Sequence, residues 1–187
     1  VTGEGTVIEC VNLGWGIFNV ADEMKKLTGF DTKVGNDANV AALGEMWQGG
    51  GKGYQNLIMV TLGTGVGGGV ILDGEILTGS NGAAGEIGHI TVNYHEKDRC
   101  NCGKRGCLEQ FASATGIVKE AKRLLQESKE PSRLRELQYI SSKAIFDCAK
   151  EGDVLANQLV EQLGKYLGIA LSHVAHVVDP QAFVIGG

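Results

Sequence analysis

The chain has 187 residues, with 17 Lys+Arg against 22 Asp+Glu and a formal net charge of -5. Hydrophobic residues at 43% and charged residues at 21% exclude charge-driven disorder. The mildly acidic balance argues against nucleic-acid binding, which needs a basic face, and no apolar run approaches the ~18 residues of a membrane span.

The 29 glycines against two prolines point to tight backbone work rather than a linker. Residues 6–11 form a β-rich run after Gly-Glu-Gly, so a strand is predicted. Residues 18–27 show helical spacing, with Gly29 placed as the C-terminal cap. A short strand over 32–35 comes next. Asp37 then caps an apolar helix over 38–47. The glycine run 49–53 is the clearest break, and a hinge or lobe boundary is expected there.

Residues 56–62 and 66–72 read as strands joined by Gly63-Thr64-Gly65, and Asp73-Gly74 marks a second hairpin turn. A loop of small residues covers 80–88, residues 90–92 look like a strand, and 94–107 is polar and cysteine-bearing. From Leu108 the pattern is mostly helical. Leu155, Leu159, Leu163, Leu167, Leu171 and Val174 share one stripe of a helix capped by Asp153 and about 39 Å long. Phe183 to Gly187 reads as a buried strand running into a turn. Val1 is not an initiator Met, and no basic-then-apolar leader follows it. The expectation is the middle of a longer, cytoplasmic protein.

Cys100, Cys102 and Cys107 fall within eight positions, and His89 precedes them. Three thiolates and an imidazole satisfy tetrahedral Zn2+, and Gly103 and Gly106 let the loop curl. The alternative is ordinary buried thiols or a disulfide, which the missing secretory signal disfavours. Cys10 and Cys148 stand alone and read as packed core thiols.

Gly63 to Gly69 is not a Rossmann fingerprint, because that motif opens a helix. Nor is Gly51-Lys52-Gly53 a Walker A ending, which needs Ser or Thr. Two readings stay open for the loop: a structural glycine hairpin, or one whose N–H groups and Thr64 hydroxyl face a phosphate. A zinc site on His89 and Cys107 would draw Glu86 and Glu109 together. Carboxylates beside Asn36 and a histidine suit a neutral polyol, since they accept hydrogen bonds from hydroxyls. Against this stand a plain helix cap for Asp37 and exposed surface positions for the two glutamates.

Together, Val11-Asn12-Leu13-Gly14-Trp15, the run from Asn36 to Glu45, Leu62 to Gly69, Gly85-Glu86-Ile87-Gly88-His89, Cys100 to Glu109 and Asp179-Pro180-Gln181 with Val184-Ile185-Gly186-Gly187 resemble the ROK family of repressors and sugar kinases, most closely its bacterial glucokinases. The resemblance implies an α/β, actin-like and ribonuclease-H-like two-lobe sugar kinase fold. Residues 1–48 would be part of an N-terminal lobe carrying the catalytic Asp37, and 49–187 the C-terminal lobe. It implies ATP-dependent phosphorylation of a hexose 6-hydroxyl, with glucose first. Asn36, Asp37, Glu86, His89 and Glu109 would hold the sugar. Gly63, Thr64, Gly65, Gly67, Gly68 and Gly186 would face ATP with its Mg2+. His89, Cys100, Cys102 and Cys107 would hold structural Zn2+. A homodimer or homotetramer is expected, with no membrane and no nucleic acid bound by this segment. The alternatives are a sugar-sensing regulator of the same family and a kinase for another hexose or an N-acetylhexosamine. The family's Asp-x-Gly-Gly-Thr phosphate turn is absent from the 187 residues, so they are expected to be inactive alone.

Overall fold

The structure, a computed structural model, describes residues 1–8 and 14–187. β1 (Thr6–Val7) pairs antiparallel with β2 (Phe18–Asn19). The rest of the strand predicted to reach Val11, with Cys10 and the residues through Leu13, lies outside the described residues from position 9 on. The first helix, α1 (Val20–Thr28), starts two residues later than its periodicity suggests, because Phe18 and Asn19 are taken by β2. Asn19 caps it through its side chain, and Gly29 closes it in the left-handed region, as expected.

The strand expected over 32–35 does not form, since that segment has no strand partner among the described residues. Helix α2 (Asp37–Gln48) follows, and its cap is Asn36 rather than Asp37. Asn36 Oδ1 accepts from Ala38 N–H at 2.9 Å and Asn39 N–H at 3.3 Å. That places Asp37 in the first helical turn.

The four-stranded sheet is ordered β5-β4-β3-β6. β3 (Leu57–Leu62) and β4 (Val66–Leu72) form the expected antiparallel hairpin. Asp73 and Gly74, both at positive φ, turn into β5 (Glu75–Ile76). β6 (Ala182–Gly186) runs parallel to β3 at the sheet's edge. It is therefore half-buried rather than buried, with Ile185 51% exposed. β3 is apolar and buried from Leu57 to Val60 because both its faces are covered there. Ile58 and Val60 pack with Phe111 and Val174 on one side, and Leu57 and Met59 with Ala42 on the other.

The three glycines of β4 clear space on both faces. A Cβ on Gly69 would lie 2.5 Å from Ala42 Cβ, and one on Gly67 would lie 3.1 Å from Ala38 Cβ. On the opposite face, a Cβ on Gly68 would lie 2.7 Å from Ile87 Cγ1. The start of α2 and the 85–87 loop thus rest directly on the strand backbone. Residues 90–92 make only an isolated bridge, Thr91 to Cys107, instead of the expected strand.

Short helix α3 (Glu109–Ala112) leads into α4 (Ala114–Glu127), then α5 (Ser142–Lys150) and α6 (Val154–Val178). The first half of α6 packs with α4 and α5 through Ala156 and Leu159, where Cys148 is buried as expected. Its second half packs on the sheet through Ala170 and Val174, and Leu163 touches both clusters. Among the described residues no helix is long and apolar enough to cross a membrane.

Asp153 caps α6 as the sequence predicts. It accepts from Ala156 N–H at 2.9 Å, Arg133 N–H at 2.7 Å and the Ser132 hydroxyl at 3.1 Å. Burial alone would push its carboxyl up, but these hydrogen bonds outweigh that and hold it below the ordinary carboxylate range. Asp153→Ala is expected to lower stability by about 1–2 kcal/mol at pH 7 in urea denaturation. A depressed folded pKa stabilises above the unfolded value of about 3.9 and is lost as pH falls through the folded value. The gap between wild type and variant should therefore narrow below about pH 4.

Candidate functional site

The C-terminal ends of the parallel pair β3 and β6 open on a cavity of about 670 Å³, as ligand clefts in α/β sheets do. Its lining gathers Asn36, Asp37, Glu86, Glu109 and the hairpin residues Gly63, Thr64, Gly65, Gly67 and Gly68. Gly187 lines it as well, while its neighbour Gly186 is paired with Thr61 in the sheet. Thr61, which is not among the expected site residues, also lines the cavity. The signal was its position as the one polar residue in the apolar run from Leu57 to Leu62.

Each carboxylate arrives from a different element. The Asn36 cap delivers Asp37 to the N-terminal turn of α2, where the helix dipole favours negative charge. Asp37 is exposed at the cavity. Glu86 precedes the short 3-10 turn Ile87–His89, whose glycine Gly88 packs against the Val66 backbone. Glu109 begins α3, and its Oε2 accepts from Val66 N–H at 3.0 Å. Glu109 is half-buried rather than a free surface group, whereas Glu86 is exposed toward the cavity. Among the described residues the lining contains no lysine or arginine. Three carboxylates without a cation suit a ligand that donates hydrogen bonds, as a polyol does, and disfavour a bare anion.

His89 sits between the cavity and the cysteines. Its Nδ1 is 3.7 Å from Cys100 Sγ, and its Nε2 is 4.0 Å from Glu86 Oε2. Cys102 and Cys107 sulfurs are 3.6 Å apart, and the four donor atoms all lie within 4.8 Å of one another. Tetrahedral zinc places such donors about 3.5–3.8 Å apart, which the His89–Cys100 and Cys102–Cys107 separations match, and the donor set suits the metal. Cys107 is fully buried, and Cys102 is exposed. Burial, then the neighbouring Cys102 and Cys100 thiols, pushes the Cys107 thiol up to about 12. A divalent cation among the sulfurs reverses that pressure, because the ligand form is the thiolate.

The cysteine loop is shaped by local contacts. Cys100 N–H donates to the Lys104 carbonyl at 2.8 Å, and Val92 N–H to Gly106 at 2.8 Å. Gly106 has φ 73 and packs directly on the Asn93 carbonyl, which leaves no room for a side chain. Gln110 ties the two ends together: its Oε1 accepts from Cys107 N–H at 3.1 Å and its Nε2 donates to the Asp98 carbonyl at 3.1 Å.

The sequence pattern of the ROK family matches residues 1–187. A glucokinase of Halalkalibacterium halodurans is 46% identical over 98% of this chain, which spans 56% of that enzyme. A glucokinase of Streptomyces griseus, solved with glucose and AMPPNP, superposes with TM-score 0.84 at 35% identity over 99% of this chain and 61% of its own. A ROK transcriptional regulator, a homologue of the E. coli MLC protein, superposes with TM-score 0.90 at 35% identity, over 98% of this chain and 46% of its own. The architecture is thus the actin-like, ribonuclease-H-like α/β fold that the sequence motifs imply.

Proposed function

The chain belongs to the ROK family, and from that premise we propose that it carries the sugar and phosphoryl-transfer site of an ATP-dependent hexose kinase, with glucose as substrate. One observation supports this above the others: a single cavity lined by Asn36, Asp37, Glu86, Glu109 and the 63–68 hairpin. Asn36, Glu86 and Glu109 would hold sugar hydroxyls, with His89 Nε2 beside Glu86. Asp37 would accept the proton of the 6-hydroxyl as that oxygen attacks the terminal phosphate. The hairpin N–H groups would receive the phosphates. ATP would enter with Mg2+, which supplies the positive charge that the lining lacks. Residues 1–48 would belong to one lobe and 49–187 to the other, with the turn 49–53 at their boundary. Structural zinc on His89, Cys100, Cys102 and Cys107 would fix the orientation of the His89 ring, since four protein donors leave no open position.

Coupled measurement of ADP release over a hexose panel, made with the complete enzyme, tests the activity. Within it, Glu86→Gln and Glu109→Gln are expected to raise KM for glucose more than KM for ATP. Each loses a charge-assisted hydrogen bond worth about 1.5–3 kcal/mol, so the rise is about ten-fold or more. An unchanged glucose KM in both variants would place these carboxylates outside the sugar site.

The likeness to the transcriptional regulator favours a second reading, a sugar-responsive regulator that binds hexose without phosphorylating it. Calorimetric glucose binding with no ADP release in the same preparation would select that reading.

A further inference from the structure

The corner between α3 and α4 grips the glycine hairpin by three hydrogen bonds. Ala114 N–H donates to the Gly63 carbonyl at 2.8 Å, and the Thr115 hydroxyl donates to the Thr64 carbonyl at 2.8 Å. Val66 N–H donates to Glu109 Oε2 at 3.0 Å. In a planar trans peptide the carbonyl and the following N–H point in opposite directions. Drawing the Gly63 and Thr64 carbonyls onto the corner therefore turns the Thr64 and Gly65 N–H groups away from it. Both residues line the cavity, and successive N–H groups presented together make an anion-receiving concavity. Gly63 N–H is already used within the turn, on the Gly65 carbonyl at 3.0 Å.

The Thr115 hydroxyl also lies 3.1 Å from Ser113 Oγ, but the Ser113 hydroxyl donates to the Glu109 carbonyl at 2.7 Å and caps α4 without it. Thr115 is exposed, and α4 is already capped by Ser113, whose Oγ accepts from Gly116 N–H at 2.9 Å. The carbonyl that accepts from the Thr115 hydroxyl lies 51 residues away in the hairpin loop. Glu109 adds the second half of the arrangement. One oxygen anchors the hairpin at Val66, and the same carboxylate faces the cavity.

We propose that Thr115 is a positioning residue for the nucleotide: it sets the Thr64–Gly65 peptide so that its N–H meets phosphate, on a corner that Glu109 shares with the sugar side. This rests on the kinase reading. The test compares, in the complete enzyme, wild type, Thr115→Val, which keeps the shape but loses the hydroxyl, and Thr115→Ser, which keeps the hydroxyl. KM for ATP, KM for glucose, kcat and Tm are read for each.

Thr115→Val is expected to raise KM for ATP about three- to ten-fold, the worth of one hydrogen bond. KM for glucose should stay within about two-fold and Tm close to wild type, because uniform destabilisation is not the cause. Thr115→Ser should restore the ATP value. An active wild type with the same ATP KM in all three proteins overturns the Thr115 role and leaves the kinase reading standing. So does a rise in both KM values with a fallen Tm, which marks a purely structural residue. A wild type that neither phosphorylates glucose nor binds ATP overturns both.

Discussion

Asp37→Asn in the complete enzyme is expected to lower kcat by about 10²–10⁴-fold while glucose binding largely survives. The amide keeps the size and shape of the carboxylate but cannot take the proton. The fold gives this variant little reason to misbehave otherwise. Asn36, not Asp37, is the cap that starts α2. Asp37 Oδ1 does accept from Ala38 N–H at 2.9 Å, and an asparagine oxygen can keep that contact. Stability should therefore change little, and any loss of turnover reports chemistry. The decisive comparison is kcat against the calorimetric affinity for glucose in the same preparation. A kcat within about three-fold of wild type would reduce Asp37 to an ordinary first-turn carboxylate.

The second large effect concerns the metal. Protein purified without chelator is expected to carry about one equivalent of zinc by elemental analysis. Cys107→Ser should weaken retention by more than the ~10–100-fold that loss of an outer partner of a metal ligand costs. A hydroxyl is a poor replacement for a buried thiolate, and Cys107 is the most buried of the four donors. Losing the ion should also release His89, whose second nitrogen lies toward Glu86. Glucose affinity should therefore fall together with zinc content when a chelator is titrated in. A metal-free protein with a disulfide between Cys102 and Cys107, whose sulfurs are 3.6 Å apart, would overturn the assignment.

Much of the site was legible because it is written in local chemistry. Cysteine spacing with two loosening glycines, a hairpin loop of three small residues, and an Asn-Asp pair before an apolar run are all short-range signals. What failed was decided by tertiary partners. Residues 32–35 and 90–92 have strand-like composition, yet a strand exists only where a neighbour pairs with it, and composition does not report that. Asn36 and Asp37 are equally good caps, so which of them closes the helix depends on the entry angle of the chain. The partnership of β3 with β6 spans more than a hundred residues of sequence and has no local signature. The β4 glycines carried a signal of a different kind. In sequence they suggest phosphate contact, and in three dimensions they also let α2 and the Glu86 loop approach the strand from its two sides.

Helix α6 has a consequence for how the molecule comes apart. It is about 38 Å long at 1.5 Å per residue, and its 25 residues serve two cores in succession. Leu163 stands at the junction and touches both. Neither core can lose α6 without exposing an apolar surface that the other still needs covered. Fraying from one end is opposed by the packing at the other, so heat or denaturant meets the sheet and the helical layer as one cooperative unit. The hairpin and the cysteine loop hang on that unit through α3 and α4, so loss of the unit takes both with it.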